Sequence, residues 1–241
     1  MVWAAGRERA VCSQQDLSGV LETAANQPEQ QGEKRVFLTF DDGPSATTEL
    51  VLDVLREKGV PATFFVVAAD NNQDYLPLIR RAVDEGHQIA LHSCTHAYKT
   101  IYASTTDFWA DIKELRQRIS PYVEVEDIHW LRFPGGSTNT VSHKYGGSSI
   151  MKNLKAQAAE KGYRYVDWNV CAEDAAGGHP SAEDVFRNVT NGAKDKDLCV
   201  VLMHDTKATR KTTAAALGDI IDWFAGQGYR FCRIDELDAQ I

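Results

Sequence analysis

The 241-residue chain has 43% hydrophobic residues and carries 26 basic against 34 acidic residues, a formal net charge of −8. This length and apolar content suit one domain with a full core, and the acidic balance without a basic stripe argues against a nucleic-acid partner. No apolar run approaches the ~20 residues that a membrane helix needs. We therefore expect a single domain that acts as a monomer, binds no nucleic acid and does not span a membrane.

The first part of the chain differs in composition from the rest. Residues 1–33 are rich in Gln, Glu, Ala and Asn, a composition typical of a lead-in or tether outside the core. The first ten residues include Arg7, Glu8 and Arg9 where a signal peptide would have its apolar stretch. We expect residues 34–241 to form the folded domain, and we identify no export signal.

Strand-like and helix-like segments alternate after residue 34. The predicted strands cover residues 36–40, 62–67, 88–91, 128–132, 163–167, 198–203 and 229–234. The predicted amphipathic helices cover residues 47–58, 75–85, 105–119, 150–161, 182–191 and 212–226. Seven strands separated by helices predict parallel βα units that close into a barrel.

Two adjacent carboxylates, Asp41 and Asp42, follow the first predicted strand, and His92 and His96 follow the third. Catalytic zinc takes three protein ligands and leaves a position for water, and two imidazoles with one carboxylate suit that ion. In the metalloprotease signature HExxH, a Glu that acts as base follows the first His, but here that residue is Ser93. The base must come from elsewhere, and the pattern predicts a one-metal hydrolase.

The two carboxylates are expected to have different tasks. Successive side chains on an extended strand point to opposite faces, so Asp41 and Asp42 cannot easily do the same thing. One of them would bind metal while the other accepts a proton. The residues alone leave open which is which.

Three further motifs occur later in the chain. They are Arg132-Phe133-Pro134-Gly135-Gly136-Ser137, Asp167-Trp168-Asn169 and Leu202-Met203-His204-Asp205. With the two earlier blocks, in the same order, they resemble the five motifs of the polysaccharide deacetylases, carbohydrate esterase family 4, over about residues 36–234. Each motif lies at or just after the C-terminal end of a predicted strand, where barrel enzymes place their chemistry. The resemblance implies an α/β fold, a distorted (β/α)₇ barrel, with residues 34–241 as the catalytic domain.

The resemblance also implies a metal site and a base. Asp42, His92 and His96 would bind one divalent metal ion, with zinc expected and cobalt or manganese as alternatives. Asp41 would be the general base. Arg132 would hold Asp41 ionised and oriented, since its rigid fork suits a carboxylate.

The remaining roles implied by the resemblance concern the leaving group and the acetyl group. His204 would be the general acid, and Asp167 would support it. The N–H of Gly135 would stabilise the oxyanion, although many family members carry an aromatic residue at this position, so the sugar groove lacks that wall. Trp168 and Leu202 would line a small pocket for the acetyl methyl, with barrel core as the alternative.

Other polar residues are expected to be structural. Asp174 and Glu173 could line the groove, but we interpret them as part of a solvated loop. The histidines without partner spacing are interpreted as surface residues: His87, His129, His143 and His179. Of the five cysteines, Cys199 and Cys232 are predicted to be small buried apolar groups, and Cys94 is expected not to touch the metal.

The predicted activity is removal of an acetyl group from a polysaccharide, with N-acetylglucosamine residues of peptidoglycan or a chitin-like polymer as the expected substrate. One alternative is an acetyl xylan esterase, which would use the same machinery on an ester. Another is a non-catalytic carbohydrate-binding relative, but such a protein would have lost a ligand, the spare Asp or the acid. A wall polymer implies an extracellular or cell-envelope location, so we expect further residues upstream of this sequence.

Overall fold

The computed structural model describes residues 33–175 and 180–237. The predictions for the lead-in, residues 1–32, and for His179 lie outside the described residues. The described residues form eight strands: β1 (Arg35–Asp41), β2 (Thr63–Val67), β3 (Gln88–Ser93), β4 (Trp130–Leu131), β5 (Arg164–Tyr165), β6 (Val170–Cys171), β7 (Leu198–His204) and β8 (Arg230–Cys232).

The strands alternate with helices. These are α1 (Ala46–Lys58), α2 (Leu78–Asp84), α3 (Tyr98–Ile101), α4 (Thr105–Ile119), α5 (His143–Gly146), α6 (Ile150–Glu160), α7 (Ala182–Ala193) and α8 (Thr213–Gly226). The observed helices differ from the predicted ones in two respects. Residues Asp70–Tyr75 form a 3₁₀ helix, so the second predicted helix begins later, after Pro77, whose fixed φ suits a helix start. The short helices α3 and α5 were not predicted.

All strand pairs are parallel, as predicted, and β1 lies at the centre of the sheet. It pairs with β7 along its whole length, with β2 near its C-terminal end and with β8 near its N-terminal end. This register places Asp41 directly beside His204. The sheet order is β5-β4-β3-β2-β1-β7-β6. Because the strands are parallel, their C-terminal ends lie on the same side of the sheet, and the proposed catalytic residues meet there.

The fifth predicted strand, residues 163–167, corresponds to β5 alone, and β6 is an additional strand beyond its predicted end. β5 pairs with β4, whereas β6 pairs with β7, and no helix separates them within residues 164–171. The N–H of Val166 donates to Leu131 at 3.2 Å and that of Asn169 donates to Val200 at 3.2 Å, so one continuous segment joins the two ends of the sheet. This curls the sheet into the expected distorted barrel, with one strand more than predicted.

The hydrophobic core has two layers. Val36, Leu38 and Phe40 belong to the cluster shared with the helices, whereas Phe37 belongs to a second cluster with Phe65, Trp130 and Val200. The alternation follows the two-residue period of a strand. Asp41 lies four residues after Phe37 and so on the same face of β1, and its side chain is therefore directed to the barrel interior.

One histidine was placed wrongly by the sequence analysis. His87 is buried and not at the surface. Its Nδ1 accepts a hydrogen bond from the Ala62 N–H at 3.2 Å, and its ring contacts Phe64 edge-on. Burial lowers the pKa of His87 to about 4, so it is a neutral core residue. His129 and His143 are exposed, as expected.

Candidate active site

Asp41 lies at the C-terminal end of β1, where it meets a buried arginine. Its Oδ1 accepts a hydrogen bond from Arg132 Nη1 at 2.8 Å, and its side chain is 5% exposed. The Arg132 side chain is fully buried, with its guanidinium over the Phe65 ring. The contact is a charge-assisted hydrogen bond, and it fixes the direction of the Asp41 carboxylate.

Arg132 is held by acceptors from β1 and from the segment between β5 and β6. Besides Asp41, Nη1 donates to the Thr39 hydroxyl at 2.8 Å, Nε donates to the Val166 carbonyl at 3.1 Å, and Nη2 donates to the Asp167 carbonyl at 3.0 Å. All of its nitrogens are therefore hydrogen-bonded, as a buried cation requires. Its fork has a fixed direction toward Asp41.

Asp42 turns away from the strand and has a positive φ of 71°. Its carbonyl accepts a hydrogen bond from Asn72 Nδ2 at 3.0 Å. The next residue, Gly43, packs so closely that a Cβ there would lie 2.1 Å from an Asp205 carboxylate oxygen. The turn separates the two carboxylates, so that Asp41 contacts Arg132 and Asp42 contacts the histidines.

His92 and His96 converge on Asp42. The distance from Asp42 Oδ1 to His92 Nε2 is 3.4 Å, and that to His96 Nε2 is 3.3 Å. Asp41 Oδ2 is farther from His92 Nε2, at 3.9 Å. His92 Nδ1 lies 2.7 Å from the Arg132 carbonyl, which favours the tautomer that leaves Nε2 as the ligand atom.

The residues present fit a divalent cation. One potential ligand atom from each of Asp42, His92 and His96 lies within 4.8 Å of the others, and Asp42 Oδ1 is buried without a hydrogen-bond partner. Ligand atoms at about 2.0–2.2 Å from a tetrahedral zinc would stand about 3.3–3.6 Å apart. Both carboxylate–imidazole distances are within or close to that range.

The charges of the cluster are coupled. Burial alone would raise the pKa of Asp42, but the nearby His96 and His92 outweigh it and hold that pKa well below its usual range. Burial lowers the pKa of His96 and outweighs the attraction of Asp42. Burial acts in the same direction on His92, but Asp41 and Asp42 raise its pKa overall. Asp42 is therefore ionised, as a ligand must be.

His204 ends β7 on the other side of Asp41. Its Nδ1 lies 2.8 Å from Asp174 Oδ1, and its backbone N–H donates to Asp174 Oδ2 at 2.7 Å. The Thr213 hydroxyl also donates to Asp174 Oδ2. Burial alone would lower the pKa of His204, but Asp174, followed by Asp42 and Asp41, raises it to about 10. His204 is thus a protonated imidazolium at neutral pH.

The prediction that Asp167 supports His204 was wrong. The Asp167 carboxylate accepts hydrogen bonds from the Ser137 N–H at 2.8 Å and the Ser137 hydroxyl at 2.6 Å. Asp174 was interpreted as part of a solvated loop, yet it is 5% exposed and pairs with His204. The cause is the position of β6. Asp174 follows the C-terminal end of this strand, on the side of the sheet where His204 lies, whereas Asp167 precedes the strand.

Gly135 lies at the turn that Asp167 helps to hold. It has a φ of 79°, and a Cβ there would lie 2.6 Å from the Tyr98 hydroxyl. Tyr98 contacts the His96 ring edge-on, with centroids 5.5 Å apart. An aromatic ring from α3 therefore lies where a side chain on residue 135 would otherwise stand, which sequence reasoning did not find.

Trp168 and Leu202 both belong to the apolar cluster in the barrel interior. Each is 4% exposed. Leu202 pairs with Thr39 in β1, two residues before the Asp41–His204 pair. The two side chains therefore lie below the catalytic rim, and their role as pocket walls stays a prediction.

Asp205 is a further buried carboxylate near the site that was given no role. Its Oδ2 accepts a hydrogen bond from the Thr48 hydroxyl at 2.5 Å, while Oδ1 is buried without a partner. Burial raises the pKa of Asp205 to about 7. Asp205 is the last residue of the fifth motif, but the sequence analysis did not predict its burial.

The predictions for two of the cysteines are confirmed. Cys199 and Cys232 are free and buried. Cys94 is free too, and burial raises the pKa of its thiol to about 11, which disfavours the thiolate that a metal ligand would need. Cys171 is disulfide-bonded.

Comparison with known proteins identifies relatives of this site and fold. The family model described as "Polysaccharide deacetylase" matches residues 29–166, more than half of the chain. A peptidoglycan-N-acetylglucosamine deacetylase of Bacillus cereus is 32% identical over 85% of this chain and 88% of its own length. The catalytic domain of a peptidoglycan N-acetylglucosamine deacetylase from Eubacterium rectale superposes with a TM-score of 0.80 at 37% identity, covering 88% of this chain and 94% of that chain.

Two further relatives are longer than this chain. The peptidoglycan-N-acetylglucosamine deacetylase PgdA of Listeria monocytogenes is 35% identical over 87% of this chain, which spans 40% of its length. A bifunctional xylanase/deacetylase of Pseudobutyrivibrio xylanivorans is 31% identical over 86% of this chain and 31% of its own length.

Among the described residues, no helix has the length and apolar composition required to cross a membrane.

Proposed function

This chain belongs to the polysaccharide deacetylase family, and we propose that it hydrolyses the N-acetyl groups of N-acetylglucosamine residues in peptidoglycan or a related polymer. The observation that carries the proposal is the arrangement of Asp42, His92 and His96 beside two proton-transfer groups, Asp41 and His204. Such an arrangement would serve both halves of an amide hydrolysis, the attack of water and the departure of the amine.

The metal-binding residues would be Asp42, His92 and His96. A bound divalent cation, zinc in our proposal, would polarise the acetyl carbonyl and lower the pKa of a water molecule. Three protein ligands would leave a position open for water or substrate. The unpartnered Asp42 Oδ1 supports this assignment.

Asp41 would act as the general base. Arg132 occupies its Oδ1, so Oδ2, on the side of His92, is the oxygen that would accept the proton of the attacking water. The fixed guanidinium would orient the carboxylate for that step.

His204 would act as the general acid that protonates the leaving nitrogen. An amine does not leave a tetrahedral intermediate as an anion at neutral pH, so a proton donor is needed. Asp174 fixes the ring through Nδ1, which leaves Nε2 to donate. The raised pKa keeps that proton in place in the resting enzyme.

The N–H of Gly135 would stabilise the developing oxyanion. Asp167 would support it indirectly, by holding Ser137 two residues further along the same turn. Leu202 and Trp168 would limit the depth of the acetyl pocket from below.

The substrate class follows from the relatives. Two proteins named as peptidoglycan-N-acetylglucosamine deacetylases match most of this chain, which favours an N-acetyl substrate. The match to a bifunctional xylanase/deacetylase keeps O-acetyl xylan as the second candidate. The same residues could serve an ester, whose alkoxide leaves more easily than an amine.

The location follows from the substrate. We propose that the protein acts outside the cell or in the cell envelope, with residues 1–33 as a lead-in or tether and residues 34–241 as the catalytic domain. The disulfide bond of Cys171 suits an oxidising compartment. Every site residue described above comes from a single chain, so a monomer would be competent.

The proposal is tested by acetate release from three substrates: N-acetylglucosamine oligomers, peptidoglycan and acetylated xylan. Each is incubated with enzyme as prepared, with enzyme stripped by a chelator, and with stripped enzyme given zinc. We expect release from the first two substrates, loss on stripping and recovery with zinc. Preference for xylan would favour the esterase. No release from any substrate by the zinc-loaded protein would refute the proposal.

A further inference from the structure

The loop between the two histidine ligands folds around one buried carboxylate, that of Asp111 in α4. Its Oδ2 accepts hydrogen bonds from the Ser93 hydroxyl at 2.7 Å and the Cys94 N–H at 2.7 Å. Its Oδ1 accepts hydrogen bonds from the Thr95 N–H at 3.0 Å and the Thr95 hydroxyl at 2.8 Å. Asp111 is 8% exposed. Each oxygen therefore binds one backbone N–H and one hydroxyl.

The contacts of Asp111 reach His96 through one intermediate. The His96 N–H donates to Ser93 Oγ at 2.8 Å, and the same hydroxyl donates to Asp111. His96 has a φ of 52°, a left-handed conformation that is disfavoured for residues other than glycine. Surrounding contacts must hold a residue in such a conformation. In this conformation His96 Nε2 lies 3.3 Å from Asp42 Oδ1.

We propose that Asp111 is a positioning residue that fixes His96 relative to Asp42 and so sets the affinity of the site for a divalent cation. This inference rests on the metal site proposed above and adds to it a residue that is not a ligand. Partners behind the ligands of a metal site commonly control their orientation in this way.

The chemistry requires a carboxylate at position 111. An amide has one acceptor oxygen, and its NH₂ group would face the N–H of Cys94 or that of Thr95. One backbone donor, buried at Cys94 and partly buried at Thr95, would then lose its acceptor, which is unfavourable. The loop would relax, and His96 would lose its restraint.

The first experiment compares Asp111→Asn with Glu114→Gln. Glu114 lies in the same helix, pairs with Arg118 at 2.8 Å and is 47% exposed, so the control makes the same chemical change away from the loop. The measurement is the dissociation constant for Zn²⁺ by competition with a chromophoric chelator, with the melting temperature of the metal-free protein alongside. We expect affinity about 10- to 100-fold weaker for Asp111→Asn and near wild type for Glu114→Gln. Unchanged zinc affinity in Asp111→Asn would overturn the inference, whatever the melting temperature.

A second experiment tests the route through His96. In a His96→Ala background, Asp111→Asn should weaken zinc binding little further, because the residue that it positions is gone. A full additional loss would show that Asp111 acts through the fold as a whole and would overturn the inference.

A third variant covers the case in which Asp111→Asn does not fold. Ser93→Ala cuts the link between Asp111 and the His96 N–H and leaves the bonds to Cys94 and Thr95 in place. We expect weaker zinc binding with little change in melting temperature, and wild-type affinity would overturn the inference. Absence of zinc binding by the unaltered protein would instead refute the proposed metal site itself.

Discussion

Replacing Asp174 by Asn should move the alkaline limb of the pH–rate profile to lower pH. Asp174 Oδ1 lies 2.8 Å from His204 Nδ1, and the pKa of His204 is raised to about 10. Two unit charges about 4 Å apart interact by about 4 kcal/mol at an effective dielectric constant of about 20, which corresponds to about 3 pKa units. The Asn carbonyl can still accept the Nδ1–H, so we expect a fall of about 2 units.

The sign of the change follows from the role of His204. A general acid works only while it is protonated, so activity is lost as pH rises through its pKa. A lower pKa therefore brings that loss to lower pH. The assay is kcat/KM for N-acetylglucosamine oligomers across the pH range, with metal content checked in each variant. An aryl acetate, whose leaving group needs no proton, should be affected much less.

The matched control is Asp167→Asn. Its carboxylate contacts Ser137 and not His204, so this variant should lose activity without a shift of the alkaline limb. The reasoning is refuted if the limb stays in place in Asp174→Asn, or if it moves equally in both variants. Equal losses on the amide and the aryl ester would likewise remove His204 from proton donation.

Asp41→Asn should keep about one metal ion per chain, measured by elemental analysis. Its kcat should fall by about 10²- to 10⁴-fold, since a positioned base contributes that much. Loss of the metal would contradict the assignment of Asp42 as the ligand and Asp41 as the base. Gly43→Ala would place a Cβ 2.1 Å from the Asp205 carboxylate. We therefore expect weaker zinc binding and a free energy of unfolding lower by about 1–3 kcal/mol. The control is Gly218→Ala in α8, where the nearest atom would lie 3.8 Å from the new Cβ, and this variant should not be destabilised. Burial raises the pKa of Asp205 from 3.8 to about 7, so its ionisation should destabilise the metal-free fold as pH rises across that interval. Asp205→Asn should reduce this slope, measured by urea unfolding at pH 5 and pH 8, and an unchanged slope would assign it to other groups.

The strands and helices could be predicted because their determinants are local. Apolar residues at strand and helix spacing, with glycines after the helices, are visible in the sequence. The division of β5 from β6 was not visible, because the helix that normally separates parallel strands is absent there. The burial of His87 depends on Phe64 and Ala62, which are distant in sequence.

The sequence by itself determined the metal ligands, the spare carboxylate and the acid as candidates, since Asp41, Asp42, His92, His96 and His204 stand in motifs at strand ends. Only the tertiary structure decided which carboxylates serve them. β6 pairs with β7 so that Cys171 lies beside Leu202, and this register carries Asp174, three residues further, to His204. The Asp167 carboxylate instead binds Ser137. Asp111 lies in α4, and the packing of this helix brings its carboxylate to the loop between His92 and His96. A carboxylate acts on the groups that the fold brings within hydrogen-bond distance, and that distance is set by strand register and helix packing, which motif spacing does not encode.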